Sequence, residues 1–188
     1  MEGFDVRLNI LLSGTGGQGV VLAGELLSRA LFKAGYEVVN THSYGAEARG
    51  GACRSEVLVS DEEIYDLSLT EADVLIAMST PAYRRYISRV RNGGTVILDS
   101  VVAEELERLG VDLRSDVEMI TVPARRVAEE LGYPIVANMV LIGALVKRSR
   151  LIDLEVVKKL VEEEMRPSMR EINIRALEAG YSSLPLKD

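Results

Sequence analysis

The sequence of 188 residues predicts an α/β protein in three layers, with helices on both faces of a mostly parallel sheet. Three observations indicate this class. Short apolar runs alternate with stretches of helical period, a glycine-rich turn joins the first run to the first helix, and the last third of the chain has helical periodicity only. We expect residues 1–188 to form a single domain, because no linker-like composition interrupts them.

The elements of the first third follow from residue spacing. Residues 8–12 are a short apolar run that stops at glycines, which is typical of a buried strand. Residues 20–34 carry apolar side chains at three-to-four spacing and predict a helix, and residues 36–41 predict a second strand. Together they have the size of a βαβ unit. Residues 52–60 predict a further strand, which we expect to be antiparallel to a neighbour because no crossover helix precedes it.

The alternation of strands and helices resumes after residue 70, and the chain then ends in a helical section. The segment that begins at Asn138 is apolar on most faces, so it should form the most buried helix. The predicted strands are 74–77, 95–98 and 118–122, and the predicted helices are 81–90, 103–109, 124–131, 138–149, 153–165 and 168–179.

Composition excludes several classes of function. The chain has 22 basic and 29 acidic residues and a net charge of −7, which disfavours nucleic acid as a partner. One cysteine and one histidine are too few for a disulfide framework, a Cys/His zinc site or an iron–sulfur cluster within the chain, so we expect no metal site. No apolar stretch is long enough for a signal peptide or a membrane span, and a cytoplasmic location fits best.

The strongest local motif is a glycine-rich turn between the first strand and the first helix. Glycines allow the backbone to approach an anion closely, and the free N–H groups of a helix N-terminus attract phosphate. The alternative is a tight turn that binds nothing. There is no Gly-Lys-Ser/Thr, so the turn is not a P-loop. The candidate ligand-binding residues are Gly14, Thr15, Gly16, Gly17, Gln18 and Gly19.

The same motif resembles the fingerprint of dinucleotide-binding folds, which needs an acidic residue at the end of the second strand. Here that strand ends in Asn40-Thr41-His42-Ser43, without an acid. A free-standing, Rossmann-like NAD(P)-binding oxidoreductase is therefore a weakened alternative.

A second glycine-rich loop follows the second strand and should lie at the same edge of the sheet as the first. Arg49 and Gly50 in this loop are further candidates for gripping a phosphate or a carboxylate. The alternative is a salt bridge between Arg49 and Glu47 that stiffens the loop. We expect His42 to be a structural strand-end residue and Cys53 to be a core thiol.

One basic cluster also stands out, formed by Arg84, Arg85, Arg89 and Arg91. It is either a solvated helix face or a surface that docks an acidic partner subunit. We find no residue set for bond-making chemistry, so no catalytic residue is expected in this chain.

Five segments, taken in order, carry a family resemblance. They are GTGGQGVVLAG at 14–24, SYGAEARGG at 43–51, RSEV at 54–57, ADVLIA at 72–77 and GGTVILDS at 93–100. Together they resemble the gamma subunit of the 2-oxoacid:ferredoxin oxidoreductases. The sequence of the second loop is most similar to the 2-oxoglutarate type within this pyruvate/ketoisovalerate oxidoreductase family.

This resemblance implies a division of labour among subunits. Alpha- and beta-type partners would bind thiamine diphosphate and the 2-oxoacid, and a ferredoxin-like delta subunit would join them in a hetero-oligomer, with a homodimer as a possible form of the isolated chain. Iron–sulfur clusters in the partners would pass electrons to ferredoxin while the acyl group goes to coenzyme A. The gamma-type domain would cover the active site, and the first glycine loop and Arg49 would contact coenzyme A.

Overall fold

Six strands form one mixed sheet in the computed structural model, which describes residues 6–43 and 52–185. The order across the sheet is β2-β3-β1-β4-β5-β6. β3 runs antiparallel to both β1 and β2, and β1, β4, β5 and β6 are successive parallel neighbours, which confirms the predicted mostly parallel sheet with one antiparallel strand. The strands are β1 (Arg7–Thr15), β2 (Glu37–Ser43), β3 (Ala52–Ser60), β4 (Ala72–Ala77), β5 (Val90–Asp99) and β6 (Glu118–Val122).

Helices cover both faces of the sheet, as the three-layer prediction requires. Alternation along the strands divides the core: Ile10 and Leu12 face one hydrophobic cluster, and Leu11 between them faces the other. The first cluster contains residues of α1 and α4 to α7, and the second contains residues of α2 and α3. The helices are α1 (Val20–Lys33), α2 (Thr80–Tyr86), α3 (Ser100–Arg108), α4 (Ala124–Glu130), α5 (Ala137–Ser149), α6 (Leu154–Glu164) and α7 (Pro167–Ser182).

The first βαβ unit is split by an inserted strand. β1 and β2 point the same way, but β3 lies between them and pairs with both. The insertion places β2 two strand spacings, roughly 10 Å, from β1. The sequence predicted the antiparallel strand but not its position between the other two, because strand order depends on tertiary pairing.

The boundary between α2 and β5 differs from the prediction of a helix to residue 90. α2 ends at Tyr86, a 3-10 turn covers Ile87–Arg89, and β5 already begins at Val90. The Arg89 guanidinium donates to Glu56 and to the Leu69 carbonyl, and these distant partners end the helix early. Gly93 and Gly94, which were predicted to precede this strand, lie inside β5. They fall at a shift in the register between β4 and β5, as in a β-bulge.

The C-terminal section is helical as predicted, and α5 is buried continuously from Asn138 to Val146. α5 crosses α7 at two glycines. A Cβ atom at Gly143 would overlap the Leu177 carbonyl oxygen, and one at Gly180 would overlap the Val140 carbonyl oxygen. The two backbones are therefore in direct contact. Among the described residues, no helix is both long enough and apolar enough to cross a membrane.

We predict that Gly180→Ala destabilises the protein by about 2–3 kcal/mol, because the added methyl group forces α5 and α7 apart. This loss should exceed the helix-propensity gain of about 1 kcal/mol that alanine brings. Urea unfolding of the full chain measures the difference. Gly16→Ala is the matched control, since no atom lies within 4 Å of the position of its Cβ. Equal stability of the two variants would contradict the backbone contact.

Candidate functional site at the carboxyl edge of the sheet

The carboxyl ends of β1, β4 and β5 meet at one edge of the sheet, where ligands of open α/β sheets bind. The chain leaves β1 through α1 on one face and leaves β4 through α2 on the other, so a crevice opens between these strand ends. Ser43 and Ala52 lie at the same edge, since Ser43 is paired with Arg54 and Ala52 with Thr15. The first glycine-rich loop therefore starts at this edge, and the described residues on either side of the second, Ser43 and Ala52, lie there too; residues 44–51 are outside the described residues.

The first glycine-rich loop is shaped by its contacts with α5. Gly19 begins α1 in a left-handed conformation, with φ of 70°. The Asn138 amide donates to the Gly19 carbonyl oxygen over 3.2 Å, and a Cβ atom at Gly19 would overlap that amide. Only glycine satisfies both the backbone angle and the close approach. The last glycine of the motif thus joins α1 to α5.

Gln18 ties the same loop to β4 across the crevice. Its Oε1 accepts from the Thr15 backbone N–H over 2.7 Å and from Thr15 Oγ1 over 3.1 Å. Its Nε2 donates to the Met78 carbonyl oxygen over 2.9 Å. The sequence offered Gln18 as a donor to a ligand; the structure shows that its side chain holds the loop in shape.

The outer side of the loop is exposed, since Gly16 and Gly17 are both exposed. Among the residues that the structure describes, no atom beyond the chain neighbours lies within 4 Å of a Cβ position at Gly16 or at Gly17. α1 starts with no side-chain cap and with no acidic residue in its first turn. Its first N–H groups and the positive end of its dipole therefore have no cap or acidic neighbour within the first turn, which suits an anion.

A cavity of about 320 Å³ lies beside this loop. Gly17 and Gln18 line it together with Asp99, Arg125 and Glu129. Its apolar wall comes from Met78, Pro134, Ile135 and Leu141. The predicted residues Gly17 and Gln18 are thus brought next to a guanidinium that the sequence analysis did not select.

Asp99 and Arg125 are the site residues that sequence reasoning missed. Asp99 is an acidic residue at the carboxyl end of a buried strand, where ligands of α/β sheets bind, so its position alone could have marked it as a site residue. Nothing in the sequence distinguishes Arg125 from Arg126 beside it. The structure separates them: Arg125 lines the cavity, whereas Arg126 pairs with Glu104 at the surface.

Asp99 is almost fully buried, with 2% of its surface exposed. Its carboxylate accepts the backbone N–H groups of Val101 and Arg125, each over 3.1 Å, and lies 3.8 Å from Arg125 Nε. Burial raises the pKa of this carboxyl, and the hydrogen bonds and Arg125 oppose the rise only in part. Asp99 thus holds the start of α4, which carries Arg125.

The remaining candidates have structural roles or fall outside the described residues. Cys53 is half-buried against the first hydrophobic cluster, as expected of a core thiol. His42 sits near the end of the edge strand β2 and has a contact partner. Arg49 and Gly50 lie outside the described residues. Within the described ranges, no group of three or more His, Cys, Asp or Glu side chains is placed to hold a metal ion.

Comparison with known proteins decides the family. Residues 9–183 match the family described as pyruvate ferredoxin/flavodoxin oxidoreductase. The chain belongs to this family. It is 39% identical to the 2-oxoglutarate synthase subunit KorC of Methanothermobacter thermautotrophicus, over 94% of each chain. The resemblance inferred from the sequence is confirmed, and the chain is a gamma-type subunit of the 2-oxoacid:ferredoxin oxidoreductases.

Solved structures of the pyruvate ferredoxin/flavodoxin oxidoreductase family share this fold. The keto/oxoacid ferredoxin oxidoreductase gamma subunit of Geobacter sulfurreducens superimposes with a TM-score of 0.81 and 29% identity, over 95% of this chain and 96% of that one. The 2-oxoglutarate:ferredoxin oxidoreductase of Magnetococcus marinus, solved with 2-oxoglutarate, coenzyme A and succinyl-CoA, superimposes with a TM-score of 0.77 and 24% identity. That match covers 97% of this chain and 32% of the longer one, so the present fold corresponds to one section of it.

We predict that Gln18→Glu destabilises the full chain by about 1–3 kcal/mol near neutral pH. The substitution replaces the amide donor with a carboxylate oxygen that faces the Met78 carbonyl oxygen. The loss should shrink in acid, where the protonated carboxyl of the variant again carries a donor. Urea unfolding at two pH values measures both effects, and an unchanged free energy of unfolding would argue against the tie across the crevice.

We predict that Asp99→Asn gains stability relative to the wild type as pH rises. The pKa of Asp99 is raised in the folded state, so its ionised form costs the fold stability above that pKa, and the cost vanishes as pH falls toward the ordinary value of 3.8. Asparagine carries no charge at any pH and keeps an acceptor oxygen for only one of the two backbone N–H groups, a loss that does not depend on pH, so the test compares the pH dependence alone. The variant-minus-wild-type difference in unfolding free energy should be more favourable near pH 7 than near pH 4. The opposite slope would contradict a raised pKa.

Proposed function

We propose that this chain is the gamma subunit of a 2-oxoglutarate:ferredoxin oxidoreductase that converts the 2-oxoacid, coenzyme A and oxidised ferredoxin to acyl-CoA, carbon dioxide and reduced ferredoxin. The observation that carries the substrate type is the 39% identity to a 2-oxoglutarate synthase subunit along nearly the whole of both chains. The amino-acid sequence of the loop at 43–51 favours the same type. In this proposal, residues 1–188 act as a single domain that covers the active site.

The residues at the carboxyl edge fit a phosphate of coenzyme A. Gly16 and Gly17 leave the backbone open to close approach, the uncapped start of α1 presents N–H donors, and Arg125 adds a guanidinium beside Gly17. Asp99 lines the same cavity, but its carboxylate already accepts two backbone N–H groups and pairs with Arg125. Arg49 and Gly50 remain in the proposal on the strength of the sequence.

In the proposed complex, bond-making chemistry belongs to other subunits. Thiamine diphosphate, bound by a partner, supplies the carbanion chemistry that 2-oxoacid decarboxylation needs. The single cysteine of this chain cannot ligate a four-cysteine cluster, so the iron–sulfur clusters are assigned to partners as well. The contribution of this chain is to bind the coenzyme A phosphates and to exclude water from the reaction.

The geometry disfavours the NAD(P)-binding alternative. In dinucleotide folds the strand beside β1 runs parallel to it and ends in an acidic residue that hydrogen-bonds the ribose hydroxyl groups. Here β3 occupies that neighbouring place with the opposite direction, and β2 lies one strand further away. The Gln18 tie to Met78 also spans the crevice that a dinucleotide would cross.

Co-purification tests the proposed function directly. The chain, carrying a tag, is produced together with the products of its neighbouring open reading frames, and the complex is assayed with 2-oxoglutarate, pyruvate, 2-oxoisovalerate and indolepyruvate in the presence of coenzyme A and ferredoxin. We expect a thiamine-containing complex with the highest kcat/KM for 2-oxoglutarate. A chain that purifies without such partners, or that binds NADH tightly by itself, would overturn the proposal.

In that complex, we predict that Gly16→Val and Arg125→Ala each raise the KM for coenzyme A roughly tenfold, because each removes or blocks an interaction with phosphate worth about 1.5 kcal/mol. The KM for the 2-oxoacid should stay unchanged. Arg126→Ala is the matched control, since Arg126 lies on the same helix and pairs with Glu104 instead. Unaltered coenzyme A kinetics in both variants would exclude this edge as the phosphate site.

A further inference from the structure

A second surface at the carboxyl edge lies on the α2 side of the sheet, away from the glycine loop. It surrounds an open cavity of about 600 Å³ whose lining includes Thr80, Arg84, Arg85 and Leu109. We call it the arginine surface, after Arg84 and Arg85. The proposed coenzyme A contacts do not use it.

The charges of Arg84 and Arg85 are unbalanced. Both side chains are exposed, and in the part of the chain that the structure describes neither lies within 4 Å of a carboxylate. Elsewhere arginines commonly find an acid: Arg29 pairs with Glu164, for example. Arg84 and Arg85 differ from other unpaired arginines in that they are adjacent on one short helix and line the same cavity, which places two positive charges close together on a chain with a net charge of −7.

The nearby carboxylates are already engaged. Glu56 is buried and pairs with Arg54 over 3.0 Å and with Arg89 over 2.8 Å, so two cations share one anion. The Glu105 carboxylate accepts the Thr80 hydroxyl and lies 3.9 Å from Arg108. Among the described residues that line the cavity, two arginines and one glutamate are charged, so this lining has a net positive charge.

The rigid support of the surface is a tyrosine ring. The guanidinium carbons of Arg54 and Arg85 lie 5.9 Å and 5.8 Å from the centroid of the buried Tyr86 ring. Both distances are near the outer limit of a cation–π attraction, which favours a guanidinium position beside the ring. Arg85 thus lies next to Tyr86 while its exposed charge stays available to a partner that carries negative charge.

The spacing of the two arginines favours a polypeptide over a single phosphate group. Successive residues of a helix point about 100° apart, so Arg84 and Arg85 diverge and reach two separate anions. Leu109, with 54% of its surface exposed, adds an apolar contact on the rim of the same cavity. Diverging arginines beside an exposed leucine match the composition of protein interfaces.

We propose that the arginine surface docks an acidic segment of another subunit of the oxidoreductase, with Arg84 and Arg85 each pairing with a carboxylate of that segment. The inference rests on the proposed function, because it requires the hetero-oligomer. Charge complementarity is the argument for the occupant: the surface is positive on a chain whose net charge is −7.

The test measures association of the full-length chain with its partner subunits by biolayer interferometry at several salt concentrations. Arg84→Glu combined with Arg85→Glu should weaken association at least tenfold and flatten its salt dependence. Arg166→Glu combined with Arg175→Glu is the matched control, since both are exposed arginines, at the N-cap and within α7, on the other side of the sheet. The control should stay within twofold of the wild type. Arg84→Lys combined with Arg85→Lys, which keeps both charges, should retain most of the affinity, and circular dichroism verifies folding.

Two results would overturn the inference. One is a double glutamate variant that associates as the control does. The other is a variant that associates normally but shows a raised KM for coenzyme A, which would assign the surface to a phosphate ligand. Failure of the wild-type chain to associate at all would instead refute the proposed hetero-oligomer, so the two failures are distinguishable.

Discussion

The turn after β1 is the constraint on which the rest of the structure depends. Within five residues the backbone must leave a buried strand, turn, and begin α1 against two other elements. The Gln18 side chain fixes the turn to the end of β4, and Gly19 admits the Asn138 amide of α5. Because β4 and α5 belong to distant parts of the sequence, this turn joins the parallel sheet to the helical C-terminal section.

The outer surface of the same turn forms one of the two regions along the sheet edge to which we assign a proposed function. Contacts with α5 and β4 occupy the inner side of the turn, so Gly16, Gly17 and the uncapped start of α1 face outward, beside the Arg125 that Asp99 positions. On the α2 side, arginines outnumber the available carboxylates, and a buried tyrosine supports two of them. The two proposed roles, binding of a coenzyme A phosphate and docking of another subunit, match this difference: the first region combines backbone N–H groups with one guanidinium, and the second carries two adjacent arginines.

Local patterns in the sequence were sufficient for much of this description. Apolar periodicity located the strands and most of the helices, because burial of one face imposes a period of two or of 3.6 residues. The glycine spacing located the turn between β1 and α1, although Gly14 and Thr15, predicted to lie in the loop, are the last residues of β1 and only residues 16–19 form the turn. Gly17 and Gly19 have the positive φ angles that favour glycine there. The scarcity of cysteine and histidine assigned cluster chemistry to other chains, and the order of several motifs pointed to the family.

Tertiary structure alone decided the remaining features. The insertion of β3 between β1 and β2 is a choice among strand orders that have similar local patterns. The early end of α2 depends on the pairing of Arg89 with Glu56, more than thirty residues away. The roles of Gln18 and Arg125 likewise depend on contacts with Met78 and Asp99 that no local spacing encodes. Sequence patterns report which face of an element is buried, whereas the partner that covers that face is selected only when the whole chain packs.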